Sequence, residues 1–159
     1  MNPDTSSTLT ITRTFAASRV RLFDAWTNPN SITGWWGPKD FTLLLNERDL
    51  KPGGRWRMGM TRQGEKAVSG GVYREITPPA RLVMTHAWED VDGHLEPPET
   101  LVTITLAERD DQTEMVFVQT GFDDAPTRDG HRGGWNEAFD ALAGALARAT
   151  TTAGHDHEN

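Results

Sequence analysis

His86 is the titratable side chain whose surroundings point most directly to chemistry. It alternates with Met84 and Trp88 on one phase of an apolar segment. A histidine in that company supplies a polar contact to a bound molecule or a general base near neutral pH. The plainer outcome is a partly buried ring that is merely hydrogen-bonded. His131 falls in a helical stretch and could approach the mouth of a cavity beneath it. The folded body has no HExxH or other two-histidine helical spacing, so no metal site is expected. His155-Asp156-His157 lies in a polar tail, where metal capture would be adventitious. The chain contains no cysteine, which removes thiolate nucleophiles, disulfides and Cys-ligated metals. There is no GxSxG elbow, and Ser18, Ser31 and Ser69 have no readable base partner, although a triad assembled in space stays open. Glu75 and Glu89 could enter a cavity; solvation is the simpler reading for both. Arg55, Arg57, Arg74 and Arg81 could meet a ligand carboxylate or an acidic partner. The simpler reading is an outer sheet face paired with Glu47, Glu75 and Glu114 across strands. These residues support at most one acid or base. The balance leans away from an enzyme, and no cofactor is expected.

The second signal is aromatic. Six tryptophans stand beside a single tyrosine in 159 residues. Trp and Met walls accept varied apolar ligands. The expected ligand-binding set is Trp35, Trp56, Met58, Met60, Met84, His86, Trp88, Phe117, Phe122, Trp135 and Phe139, with Trp36 in the same aromatic group. The competing reading is an ordinary core, and strand register decides which residues point inward. Gly133-Gly134 in a helix costs roughly 1 kcal/mol per glycine against Ala. Either close packing of the helix backbone or a missing Cβ at a cavity mouth, with Trp135 as a gate, offsets that cost.

These residues need elements to position them. Thr8–Phe15 alternates and is rich in β-branched residues, so it reads as a strand. Ser18 caps a helix carrying Val20, Phe23, Ala25 and Trp26. Asn28-Pro29 opens a second short helix to about Trp35, and Gly37-Pro38 turns the chain. Strands follow at 41–47, 55–60, 68–76, 81–88, 99–108 and 113–120. Gly70-Gly71 marks a bulge or a sharp bend, and 89–98 reads as a loop. Trp56, Met58 and Met60 share one strand face, as do Leu82, Met84, His86 and Trp88. Asp124 and Pro126 begin a long helix whose apolar stripe runs from Trp135 to Ala149.

Short turns between strands make an antiparallel sheet, and the long amphipathic helix covers one face of it. The expected architecture is α+β: six to seven curved strands wrapped on the C-terminal helix. Residues 1–7 and 150–159 are expected to be disordered flanks of one domain over 8–149. A chain of this size buries roughly 70% of its unfolded surface and needs no staples. The formal net charge of −7 repels phosphate backbones, which argues against nucleic acid or an anionic membrane as partner. Met1–Thr10 lacks signal-peptide order, and no apolar run nears the roughly 20 residues of a membrane span. A cytoplasmic location is expected. A homodimer through an edge strand or the Trp35-Trp36 pair stays open.

The ordered motifs Trp26-Thr27-Asn28-Pro29, Trp35-Trp36-Gly37-Pro38, Asp49 to Arg57, Gly71 to Val83, Gly121-Phe122 and His131 to Leu142 resemble the activator of Hsp90 ATPase homologue-like family. That family lies in the START-like (SRPBCC, Bet v 1-like) superfamily. Each motif is weak alone; their order over about 8–149 is specific. The resemblance implies a helix-grip fold. It also implies an apolar small molecule as the partner, with a cyclase or hydrolase as the alternative use of the same cavity. A chaperone partner is the least favoured. The eukaryotic co-chaperone that names the family carries a further N-terminal domain that does most of the ATPase stimulation. That domain finds no counterpart in the segments read here, so the name is not taken as an activity.

Overall fold

A computed structural model describes residues 7–32, 34–36 and 41–158, with 29 and 148–158 described through their backbone alone. The expected turn at Gly37-Pro38 and positions 1–6 of the N-terminal flank lie outside the described residues. In chain order the elements are β1 (Thr8–Phe15), α1 (Arg19–Thr27), α2 (Pro29–Ile32), β2 (Thr42–Arg48), β3 (Arg55–Arg62), β4 (Glu65–Thr77), β5 (Arg81–Glu89), β6 (Leu95–Arg109), β7 (Gln112–Thr120) and α3 (Ala125–Glu158). The seven strands form one curved sheet in the order β1-β7-β6-β5-β4-β3-β2, every neighbour antiparallel. The connections from β2 onward are hairpins, and the chain crosses only from β1 to the far edge, by way of α1 and α2.

Local chemistry fixes the helix ends. Ser18 Oγ accepts from Arg21 N at 3.2 Å, and Asn28 Oδ1 accepts from Asn30 N at 2.9 Å at the start of α2. Asp124 Oδ1 accepts from Thr127 N at 2.8 Å and starts α3. The α2 helix stops at Ile32 rather than near Trp35, because Trp35 and Trp36 leave it through turn bonds to the Ile32 carbonyl. On α1 it is Leu22, not Val20, that joins the buried face; Val20 is 66% exposed.

Two stretches depart from the sequence reading. The expected loop 89–98 is only a tight turn, since β6 starts at Leu95, with Glu89 opposite Leu95 and Trp88 opposite Glu96. Asp90 Oδ1 accepts from the amides of Asp92 and His94 and shapes that turn. Pro97 and Pro98 fall where the register shifts between His86 and Trp88, so neither has a partner on β5 whose ladder bond its missing N–H would break. The second stretch is Gly70-Gly71. The β4–β5 register shift lies further on, between Tyr73 and Glu75. The glycine at 71 has another cause: a Cβ there would stand 2.1 Å from the Thr85 carbonyl oxygen. At this close crossing side chains replace the ladder. Val72 N donates to Thr85 Oγ1 at 2.8 Å, and Trp56 Nε1 donates to the Thr85 carbonyl at 3.0 Å.

Register places Trp56, Met58, Ser69, Tyr73, Met84, His86, Trp88, Thr100, Val102, Phe117 and Gln119 on the concave face. Trp26 from α1 is the hub of the core. Its ring centroid lies 4.7 Å from that of Trp35, 6.2 Å from Phe117, 6.0 Å from Trp135 and 5.9 Å from Phe139. Trp135, Ala138, Phe139, Leu142 and Leu146 present the buried stripe of α3. Tertiary packing of that stripe, rather than helix propensity, holds the glycine-containing helix.

Candidate functional site

The core is not filled to its end. Between β3–β5 and the first turns of α3 lies a cavity of about 130 Å³. Its walls are Trp36, Met60, Ser69, His86, Trp88, Gly130, His131, Gly134, Trp135 and Ala138. Gly130 and Gly134 are one helical turn apart, so beside His131, Trp135 and Ala138 the helix has two stacked positions over the cavity with no side chain. An added Cβ meets nothing within 4 Å at Gly130 or at Gly133, so close packing of the helix explains neither. Trp36 closes one side, edge-on to Trp135 with centroids 5.2 Å apart and to Trp56 at 5.7 Å. A second hollow of about 220 Å³ adjoins the first and is lined by Phe122, Glu96, Pro97, Pro98, Thr100 and Thr127. His86, Trp88 and His131 line both, and form the partition between them.

The partition is organised by hydrogen bonds. Trp88 Nε1 donates to His131 Nε2 at 3.2 Å. An indole nitrogen only donates, so His131 is neutral with its proton on Nδ1. The Thr100 hydroxyl donates to the His86 carbonyl at 3.0 Å; Gln119 Nε2 donates to Thr100 Oγ1 at 2.9 Å; Trp135 Nε1 donates to Gln119 Oε1 at 2.8 Å. This buried relay ties α3 to β7, β6 and β5 and holds the cavity's two principal walls. Burial drives the His86 pKa down to about 3, and the neighbouring His131, 5.7 Å away between ring centroids, adds to it. Burial likewise lowers His131. Both rings are therefore neutral at physiological pH. Ser69 Oγ, on a residue only 1% exposed, has no hydrogen-bond partner among the described residues. The lining carries no Lys, Arg, Asp or Glu. Apolar walls with a few uncharged donors and acceptors are suited to holding a neutral molecule.

Of the eleven residues expected to contact a ligand, Met60, His86, Trp88 and Trp135 line the main cavity and Phe122 the adjoining one. Trp56 shares ring contacts with Trp36 and His86. Trp35, Met58, Met84, Phe117 and Phe139 are buried in the filled core and line neither hollow. Sequence reasoning did not place Ser69 or Ala138 at the site. It also overlooked Gln119, although a glutamine in phase with Met115 and Phe117 on an inward strand face is a readable sign of a buried polar relay.

The arginines and carboxylates lie elsewhere. Arg57 makes a two-pronged contact with Glu89, with Nη2 to Oε1 at 2.8 Å, and approaches Glu47 at 3.8 Å, on the convex face. The Glu89 side chain is 7% exposed, so this carboxylate is neither in the cavity nor freely solvated. Hydrogen bonds from Arg57 hold its pKa below the usual carboxylate range. Arg81 pairs with Glu75 at 3.1 Å, and Glu114 pairs with Arg109 at 3.5 Å.

A curved antiparallel sheet closed by a C-terminal helix, with an apolar cavity at their junction, defines a helix-grip α+β protein. The family described as "Activator of Hsp90 ATPase homolog 1-like protein" matches residues 16–147, and the chain belongs to it. Solved structures agree. A Chromobacterium violaceum protein is 27% identical with a TM-score of 0.80, covering 88% of this chain and 96% of its own. A Mycobacterium smegmatis protein is 26% identical with a TM-score of 0.74, covering 89% and 88%. A Silicibacter pomeroyi protein at 23% identity shares the fold with a TM-score of 0.81, covering 90% and 99%. Curated proteins give no match. The family's fold is one known for ligand binding. Among the described residues no helix is long and apolar enough to cross a membrane.

Proposed function

We propose that this protein binds a small apolar or aromatic molecule in the cavity between β3–β5 and α3, as a carrier or sensor. The observation that supports this most is the hollow itself: about 130 Å³ walled by three tryptophans and a methionine at the end of the buried aromatic core. A cavity of roughly 150 Å³ in another protein's core holds benzene, which sets the scale at a single ring. Affinity comes from burial of apolar area at roughly 25 cal/mol per Å², and the imidazoles and Ser69 orient the ligand.

The test is a thermal-shift screen with small neutral aromatic and alicyclic compounds, read in parallel by tryptophan fluorescence. A ligand at 100 times its Kd adds about 2.7 kcal/mol of stability. Trp36, Trp88 and Trp135 in the walls make quenching or a spectral shift the expected companion signal. Absence of any shift across such a set, together with saturable binding to an Hsp90-type ATPase, would overturn the reading in favour of a surface role.

A further inference from the structure

Ser69 and His86 face the cavity from adjacent strands. Ser69 lies directly opposite Trp88 on β5, so His86, two residues back on the same face, is its diagonal neighbour. Diagonal pairs of this kind stand about 7–8 Å apart, enough for one small group between the side chains. The Ser69 hydroxyl is buried without a partner among the described residues, and leaving a hydroxyl so is costly. The His86 imidazole, 3% exposed, offers one donor or one acceptor to the same space. The remaining walls are three indoles, a thioether, Ala138, two glycines and the His131 imidazole, whose Nε2 already accepts from Trp88. They offer no cation for a carboxylate and no carboxylate for an ammonium group, so a charged ligand would be buried without compensation.

From this geometry we infer that the ligand is a neutral, single-ring molecule carrying one hydroxyl, with its ring among Trp36, Trp88 and Trp135 and its hydroxyl between Ser69 and His86. This rests on the cavity-binding reading above and narrows it to phenols and cyclic alcohols. A ring hydroxyl donates once and accepts once, which matches a serine hydroxyl on one side and a neutral imidazole on the other. Tryptophan faces also attract cations, so an ammonium-bearing ring is the competitor to be excluded by measurement.

The experiment is calorimetric titration of the full chain with four probes of one size: phenol, toluene, benzoate and benzylamine. Phenol is expected to bind at least tenfold tighter than toluene, because a site with polar groups built for a hydroxyl rejects the analogue that leaves them unpaired. Benzoate and benzylamine are expected to bind more weakly than toluene. Ser69→Ala is expected to bring phenol to within about threefold of toluene, since it removes the unpaired hydroxyl. Toluene equal to phenol in the wild type, or a ratio unchanged by Ser69→Ala, would overturn the hydroxyl assignment and leave cavity binding intact. Benzoate or benzylamine binding as tightly as phenol would overturn neutrality. Failure of all four probes would instead count against cavity binding itself. The wild-type ratios need no variant to fold.

Discussion

The indole of Trp88 on β5 and the imidazole of His131 on α3 meet through one hydrogen bond, Nε1 to Nε2 at 3.2 Å. It joins sheet to helix at the partition between the two hollows. It exists only while His131 Nε2 keeps its lone pair, so the partition is built from a neutral ring. Trp88→Phe keeps an aromatic wall and deletes the donor. The His131 pKa is then expected to move up from its lowered value, because nothing occupies Nε2. An NMR titration of the imidazole resonances reads this directly, and an unmoved His131 pKa would show that the bond does not matter to it.

His86 predicts a pH dependence of stability. Its folded-state pKa of about 3 lies below the unfolded value of 6.5. Below pH 6.5 the unfolded chain binds a proton that the folded chain refuses, so stability present above that pH is lost as pH falls towards 3. Between pH 7 and pH 5 the loss from this group is about 2 kcal/mol, ahead of most carboxylate titration. Urea denaturation at the two pH values measures it. His86→Asn is expected to remove most of the slope; an equal slope in the variant would assign it to other groups.

Gly130 and Gly133 are expected to separate stability from binding. Ala at either position has open space and gains roughly 1 kcal/mol of helix propensity. Both are exposed, but Gly130 lines the cavity and Gly133 does not. Gly130→Ala should therefore raise Tm and weaken ligand binding several-fold, while Gly133→Ala raises Tm alone. Identical effects on binding would show that the glycine face is not part of the site.

Gln119→Leu cuts the relay from Trp135 through Thr100 to the His86 carbonyl. It leaves the Trp135 N–H and one valence of Thr100 buried and unpaired. The expected cost is about 2–4 kcal/mol in urea denaturation, accompanied by a change in the Trp fluorescence maximum. A loss below about 0.5 kcal/mol, within the range of ordinary surface changes, would count against the relay.

Alternation and helical spacing made much of the architecture legible. The period-two pattern put Trp56 with Met58 and Met84 with His86 and Trp88, and the structure has each set on one concave face. The 3.6-period stripe placed Trp135, Phe139, Leu142 and Leu146 against the sheet. These are local properties, set by the pleat and the helical turn within a few residues. Pro97-Pro98 misled the reading of 89–98, because only the partner strand reveals that the prolines sit at a register shift. The same holds for the cavity. Met84 and His86 share one strand and one face, yet Met84 packs in the filled core and His86 borders the hollow. What separates them is how α3 covers each end of the stripe: Phe139 lies in the filled core, whereas beside His86 the helix brings His131 and Trp135 together with Gly130 and Gly134, and the hollow lies among them. Which face points inward is decided by neighbouring residues along the chain. Whether that inward space is occupied is decided by residues some fifty positions away, and only the folded chain brings them together.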